Sequence, residues 1–205
     1  MPAEPAYVPP MSPELMTAEQ LLEVSIPGKQ VELVRGRLVV KEPPGYRHGD
    51  ITARLAFELM QYVGAQDLGQ VLVGDPGFTL ARNPDTVRGP DIAFVQRARV
   101  PDPLPAAFAE FAPDLAVEVL SPHDRPGETL AKIGDWLDAG TRVVWVIDPA
   151  RRQARVYRQD GTEAVLSETD ALRGEDVLPG FSCAIATILG IPMNPNNGLA
   201  FVPLK

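Results

Sequence analysis

The sequence contains a single cysteine, Cys183, among 205 residues. That excludes an intramolecular disulfide framework and any cysteine-rich zinc site, and it fits a reducing compartment. Phe181, Ala184 and Ile185 around it point to burial, with no ligand or base pattern beside it. No apolar run is long enough to span a bilayer, so no membrane partner is expected. No charged segment followed by an apolar run opens the chain. A signal peptide is therefore not expected, and the cytoplasm is the expected location. Positive charge is also scarce: 19 Lys and Arg stand against 27 Asp and Glu, a formal net charge of −8. Phosphate contacts dominate affinity for nucleic acid, so this balance weighs against a broad nucleic-acid surface. It leaves room for a local basic patch.

What is present suffices for one domain with a sizeable core, since 45% of the residues are hydrophobic. Residues 1–16 hold five prolines and little periodicity, and are expected to form a mobile arm. A single domain is expected over 17–190, with a Pro- and Asn-rich surface tail over 191–205. Thr17 with Gln20 forms a capping-box pattern for a short helix through Val24. Two β-prone runs flank Arg35-Gly36 and predict a hairpin. Asp50 is a candidate N-cap for a helix whose apolar stripe is Ile51, Leu55, Leu59 and Val63. Strand, turn and strand follow over 69–81, with Asp75-Pro76-Gly77 in the turn, and then a loop over 82–89. Leu130, Ile133 and Leu137 are the expected inward stripe of a later helix that opens at Pro126-Gly127. TRVVWVIDP reads as a buried strand, and a hairpin turns at Asp160-Gly161. The order helix, strands, helix, strands indicates an α/β (α+β) architecture with a mixed central sheet flanked by helices.

The informative stretch runs from Gly89 to Gly140. It reads GPDIAFV, a proline-broken connection, then APDLAVEVLSPHDRPGETLAKIGDWLDAG. Two apolar strands, 90–95 and 114–120, carry one carboxylate each, Asp91 and Glu118. A helix follows at once and carries Lys132. Burying an ionised acid without a partner is very costly, so these acids need a reason. If the strands are neighbours, the two carboxylates approach each other, and like charges that close call for a cation between them. Magnesium favours one or two carboxylates with water and substrate phosphate. Blander readings are available: Asp91 capping a turn, Glu118 paired with a buried arginine, Lys132 paired on the surface with Glu128. Glu118 is the hardest to explain that way, because apolar or small residues surround it. Positive charge is in local excess between residues 29 and 54, where Arg35, Arg37 and Arg47 are candidate phosphate contacts.

This ordered set resembles the PD-(D/E)XK nuclease superfamily. It is more closely similar to the Uma-type endonuclease family, long described as a domain of unknown function. The matching pieces are VELVRGRLVV, the His48 helix start, GPDIAFV, DLAVEVLSP, the Lys132 helix followed by TRVVWVIDP, and LPGFS, together spanning roughly residues 17–190. The resemblance implies a restriction-endonuclease-like core with Asp91 and Glu118 as ligands of Mg2+ or Mn2+. It implies that Glu32, on the early hairpin, lies near the metal. The superfamily's lysine usually follows the second acid by two positions, but Leu120 stands there. Lys132, on the next helix, is the expected replacement. His48 is open to three roles: phosphate binding, proton transfer, or capping and core packing. The implied activity is a metal-dependent phosphodiesterase, a DNA endonuclease. The alternatives are a nuclease-like binding module and an enzyme acting on RNA or small nucleotides. DNA or another nucleic acid is the expected partner, with a homodimer left open.

Overall fold

Residues 15–190 are described by a computed structural model. The 191–205 tail and all of the expected arm except residues 15 and 16 lie outside the described residues. Helix α1 (Ala18–Leu22) carries the expected capping box, with Thr17 and Gln20 bonded reciprocally. It ends before Val24 because its last turn tightens: Glu23 and Val24 donate only three residues back, to Gln20 and Leu21. Strands β1 (Gln30–Val34) and β2 (Arg37–Lys41) form the hairpin. Its two turn residues take φ of 50° and 74°, the left-handed pair that a twisted two-residue hairpin requires and that Gly36 adopts freely.

Helix α2 (Tyr46–Gln66) buries the stripe Ile51, Leu55, Leu59 and Val63 as expected. It starts earlier than the Asp50 cap implies. Gly45 is the N-cap, and Asp50 instead meets Arg54 one turn on at 3.0 Å. His48 therefore lies inside the first helical turn. The runs on either side of Asp75-Pro76-Gly77, β3 (Gly69–Val73) and β4 (Phe78–Ala81), go to different sheets. The expected 82–89 loop contains β5 (Thr86–Arg88), all three residues of which are buried. Three residues are too few to show alternation, and β5 owes its place to pairing with β1 and β4.

β6 (Ile92–Gln96), β7 (Leu115–Val119), α3 (Pro126–Asp138) and β8 (Val143–Asp148) follow, then β9 (Gln153–Arg158) and β10 (Glu163–Ser167). The pair β11 (Ala171–Arg173) and β12 (Ser182–Ala184) and a short α4 (Ile185–Leu189) finish the described chain. The main sheet has six strands in the order β10-β9-β8-β7-β6-β3, mixed because β7 and β8 run parallel and the other pairs antiparallel. A second sheet, β2-β1-β5-β4, has four.

Alternation along β7 divides the core. Leu115, Val117 and Val119 pack toward α2 with Leu55, Leu59 and Phe94. Ala116 packs toward α3 with Ala93, Val144, Ile133 and Trp136. Glu118 shares the Ala116 face, as its place in the strand predicts. The inward stripe of α3 matches the expected one at Ile133, which is buried, and at half-buried Leu137, but Lys132 and Trp136 join it and Leu130 is 56% exposed. The helix has turned its lysine and tryptophan toward the sheet because Glu118 waits there.

Candidate active site

The site forms where β6 begins, β7 ends and α3 crosses them. The antiparallel register sets Ile92 opposite Val117, which puts Asp91, one residue earlier, opposite Glu118. Asp91 Oδ2 accepts the Val119 N–H at 2.6 Å and so caps the end of the ladder. Asp91 Oδ1 lies 3.1 Å from His48 Nε2, contributed by the first turn of α2. His48 Nδ1 is buried and has no hydrogen-bond partner among the described residues.

Glu118 is held from above by two residues of α3 one turn apart. Lys132 Nζ donates to its Oε2 at 2.7 Å, and Trp136 Nε1 donates to its Oε1 at 2.9 Å. Lys132 is only 7% exposed, and it also meets Glu32 Oε1 at 3.0 Å and the Gly89 carbonyl at 2.7 Å. All three ammonium protons are thus engaged. Glu32 has three cations around it: Lys132, Arg88 Nη1 at 2.8 Å and Lys41 at 3.0 Å. Arg88 in turn holds Asp135 of α3 at 2.6 Å. Gly89 allows this crowding. Its N–H donates to Glu32, and a Cβ there would come within 2.9 Å of the Asp75 carbonyl.

The electrostatics separate the acids. Burial works to raise Glu32, but Lys132, Lys41 and Arg88 outweigh it and bring its carboxyl down to about 2. Glu118 goes the other way. Burial, with the charges of Asp91 and Glu32, prevails over Lys132 and pushes it up to about 7. Lys132 is held well above the usual lysine range, because Glu118, Glu32 and Asp91 overcome its burial. We take the ammonium as firmly charged, since two carboxylates and a carbonyl surround it, and Glu118 as the reluctant member. Asp75 is raised too, by burial first and then by Asp91. Burial opposes the charged form of His48, yet the hydrogen bond and charge of Asp91 hold it above its ordinary value.

The structure thus brings Glu32, His48, Asp91, Glu118 and Lys132 together. It does not gather the three candidate phosphate contacts. Arg35 and Arg37 sit exposed at the hairpin tip, while Arg47 donates to the Pro149 carbonyl at 2.8 Å beside α2. Sequence reasoning missed Trp136, Arg88, Asp75 and Asp135. Trp136 was within reach, since a residue four positions after Lys132 shares its helical face. Arg88 lay in an expected loop and Asp75 in an expected turn.

The donor set suits a divalent cation in one respect. The carboxylates of Glu32, Asp75, Asp91 and Glu118 crowd together, and burial with mutual repulsion holds two of them above their ordinary values. An added cation would relieve that excess. Among the described residues, no three His, Cys, Asp or Glu side chains form a ready metal cage. Asp91 and Glu118 are the two acids that could hold a divalent cation, with water and substrate oxygens completing its shell.

A six-stranded mixed sheet flanked by helices, with two acids at the β6–β7 end and a lysine over them, is a nuclease-type fold. A crystal structure described as a putative nuclease belonging to DUF820, from Anabaena variabilis ATCC 29413, superposes with a TM-score of 0.76. The two chains share 22% identity, over 85% of this chain and 97% of that one. The chain belongs to the Uma2 family, described as putative restriction endonucleases, which it matches over residues 18–186. A comparison with curated proteins found no match. No described helix is long and apolar enough to cross a membrane.

Proposed function

We propose that this protein is a metal-dependent phosphodiesterase that cuts DNA. The observation that carries the reading is Glu118, its side chain 12% exposed, opposed in register by Asp91 and held by Lys132 at 2.7 Å. Mg2+ or Mn2+, held by Asp91 and Glu118, would polarise the phosphoryl oxygen and activate a water for attack. The other residues prepare the acids. Lys132 and Trp136 aim the Glu118 carboxylate, and Lys132 favours its ionised form against its burial. Val119 N–H and His48 fix the Asp91 carboxylate. Glu32, kept ionised by Arg88 and Lys41, secures Lys132 from the far side. His48, whose Nε2 meets Asp91 at 3.1 Å, would move a proton beside it or, on leaving Asp91, meet an anionic substrate oxygen.

The test is cleavage of plasmid and oligonucleotide DNA in Mg2+, in Mn2+ and in chelator. Asp91→Asn and Glu118→Gln should each lower the rate at least about a hundredfold, the scale of losing one transition-state group, while near-UV circular dichroism stays native. Cleavage that survives chelator or Asp91→Asn would sink the reading. If manganese raises neither the melting temperature nor cleavage, a nuclease-like binding module takes its place.

A further inference from the structure

The acids and His48 leave unused a cavity of about 800 Å³ beside them. It is bounded by the first turns of α2 and α3, the loop after β7, and one face of β8 and β9. His48 belongs to both places: it lines the cavity, and its Nε2 contacts Asp91. Leu120 and Ser121 line it as well, directly after Val119, whose N–H Asp91 holds. A phosphodiester at Asp91 and Glu118 would therefore have this cavity next to one of its two nucleosides.

The walls combine apolar surface with cationic points. Leu120, Pro122, Leu130, Val146 and Tyr157 form the apolar part, and Leu130 is 56% exposed. Arg47, Arg151 and Arg155 supply positive charge against Asp124 and Asp148. Arg151 pairs with Asp148, but half-buried Arg155 makes no ion pair among the described residues. The residues opposite it in the sheet, Val146 on β8 and Val165 on β10, offer it no acceptor. The size falls in the range of small-ligand sites, about 300–1,000 Å³, and exceeds what a phosphate alone would need. Apolar walls with an aromatic ring suit a base face, and a lone half-buried arginine suits a phosphate or a base edge.

We propose that the cavity receives an unpaired nucleotide of the DNA strand whose adjoining phosphodiester lies at Asp91 and Glu118, an inference that rests on the phosphodiesterase reading above. A base stacked and paired in a continuous duplex cannot enter such a cavity; one from a single strand, or one extruded from a duplex, can. The substrate is then DNA with an unpaired nucleotide beside the cut. The net charge of −8 agrees, since gripping a long duplex by its phosphates needs a wide basic face, and holding one nucleotide does not.

The test is equilibrium binding by fluorescence anisotropy in calcium, with DNAs of one sequence as single strand, blunt duplex and duplex with a one-nucleotide bulge. A deoxynucleoside monophosphate serves as competitor. The single strand and the bulged duplex should bind about tenfold or more tighter than the blunt duplex, the scale of one base stacking on an aromatic ring. Arg155→Gln and Tyr157→Leu should each remove most of that preference while leaving blunt-duplex binding and the manganese melting shift unchanged. Equal binding of all three DNAs, or a preference that both variants retain, would overturn the proposal. So would competition by the monophosphate at concentrations matching the strand, which would assign the cavity to a free nucleotide. Loss of the nuclease reading looks different: no DNA is cut in manganese, yet the binding preference and its dependence on Arg155 persist.

Discussion

Replacing Lys132 by methionine tests the centre of the site. The side chain stays unbranched, one atom shorter, and loses its charge. Glu118 Oε2, Glu32 Oε1 and the Gly89 carbonyl, at 2.7, 3.0 and 2.7 Å from the ammonium, all lose a donor. Breaking a buried pair by removing one partner costs about 3–5 kcal/mol, because the other charge stays behind uncompensated. At roughly 2–4 °C per kcal/mol for a domain of this size, the melting temperature should fall by roughly 6–20 °C. The loss should depend on pH, with metal removed by chelator. Glu118 starts from 4.5 and is pushed up to about 7 in the fold. Its folded value lies above its unfolded one, so the native state binds an extra proton in that window, and stability falls as pH rises through it. Without Lys132 the carboxyl rises further. At about pH 6, Glu118 is protonated in both proteins, and the variant suffers chiefly through Glu32 and the Gly89 carbonyl. At about pH 8.5 the wild type has ionised against its lysine and the variant has not, so the gap between them widens. Adding Glu118→Gln to the variant should recover about 1–3 kcal/mol, the range of coupling between residues in contact. Melting curves of the three proteins at both pH values decide it. A single-variant loss below about 1 kcal/mol, or a gap that narrows as pH rises, would show that Lys132 is a solvated surface lysine.

In manganese at a hundred times its dissociation constant, the wild type should gain about 2.7 kcal/mol, or roughly 5–10 °C, and Asp91→Asn much less. Asparagine can still accept the Val119 N–H, so without metal the two should melt within a few degrees; a large metal-independent loss would mean that Asp91 only caps the ladder. Arg88→Lys should destabilise by about 3 kcal/mol or more in denaturant titration, because an ammonium cannot span Glu32 and Asp135 as the guanidinium does; a near-neutral change would show that the network tolerates a point charge. Cys183→Ala should leave metal-dependent cleavage intact, since burial pushes the thiol up to about 11 and away from thiolate chemistry; loss of cleavage with native folding would contradict this. Arg47→Gln should weaken DNA binding and reduce its salt slope, whereas Arg35→Gln with Arg37→Gln should change neither much, because of these three only Arg47 borders the cavity; the reverse order in a salt titration would put the phosphates on the hairpin tip.

The main strands and helices were legible in the sequence because their signals are local. Alternation in DLAVEVL states which face Glu118 occupies, and four-residue spacing in the His48 helix states which face packs. The Arg35-Gly36 turn declares its hairpin through the one residue that adopts positive φ freely. Glu118 stood out because an acid in a buried strand must be answered by something, whereas Asp91 falls one residue before β6 and meets Glu118 only through the β6–β7 register. Other features depend on contacts between segments far apart in the chain. β5 is three residues long and exists because β1 and β4 flank it, so Arg88 was hidden in an expected loop. α3 rotates Leu130 outward because Lys132 and Trp136 find Glu118 beneath them, a preference that hydrophobic periodicity by itself reverses. The cavity has walls from α2, α3, β8 and β9, and no one of these segments carries its signature. Local sequence thus determined most of the elements and the face that Glu118 occupies, because propensity and periodicity act over a few residues. Tertiary structure alone decided which cations answer each acid and how each ionises, because charges and burial act through space and not along the chain.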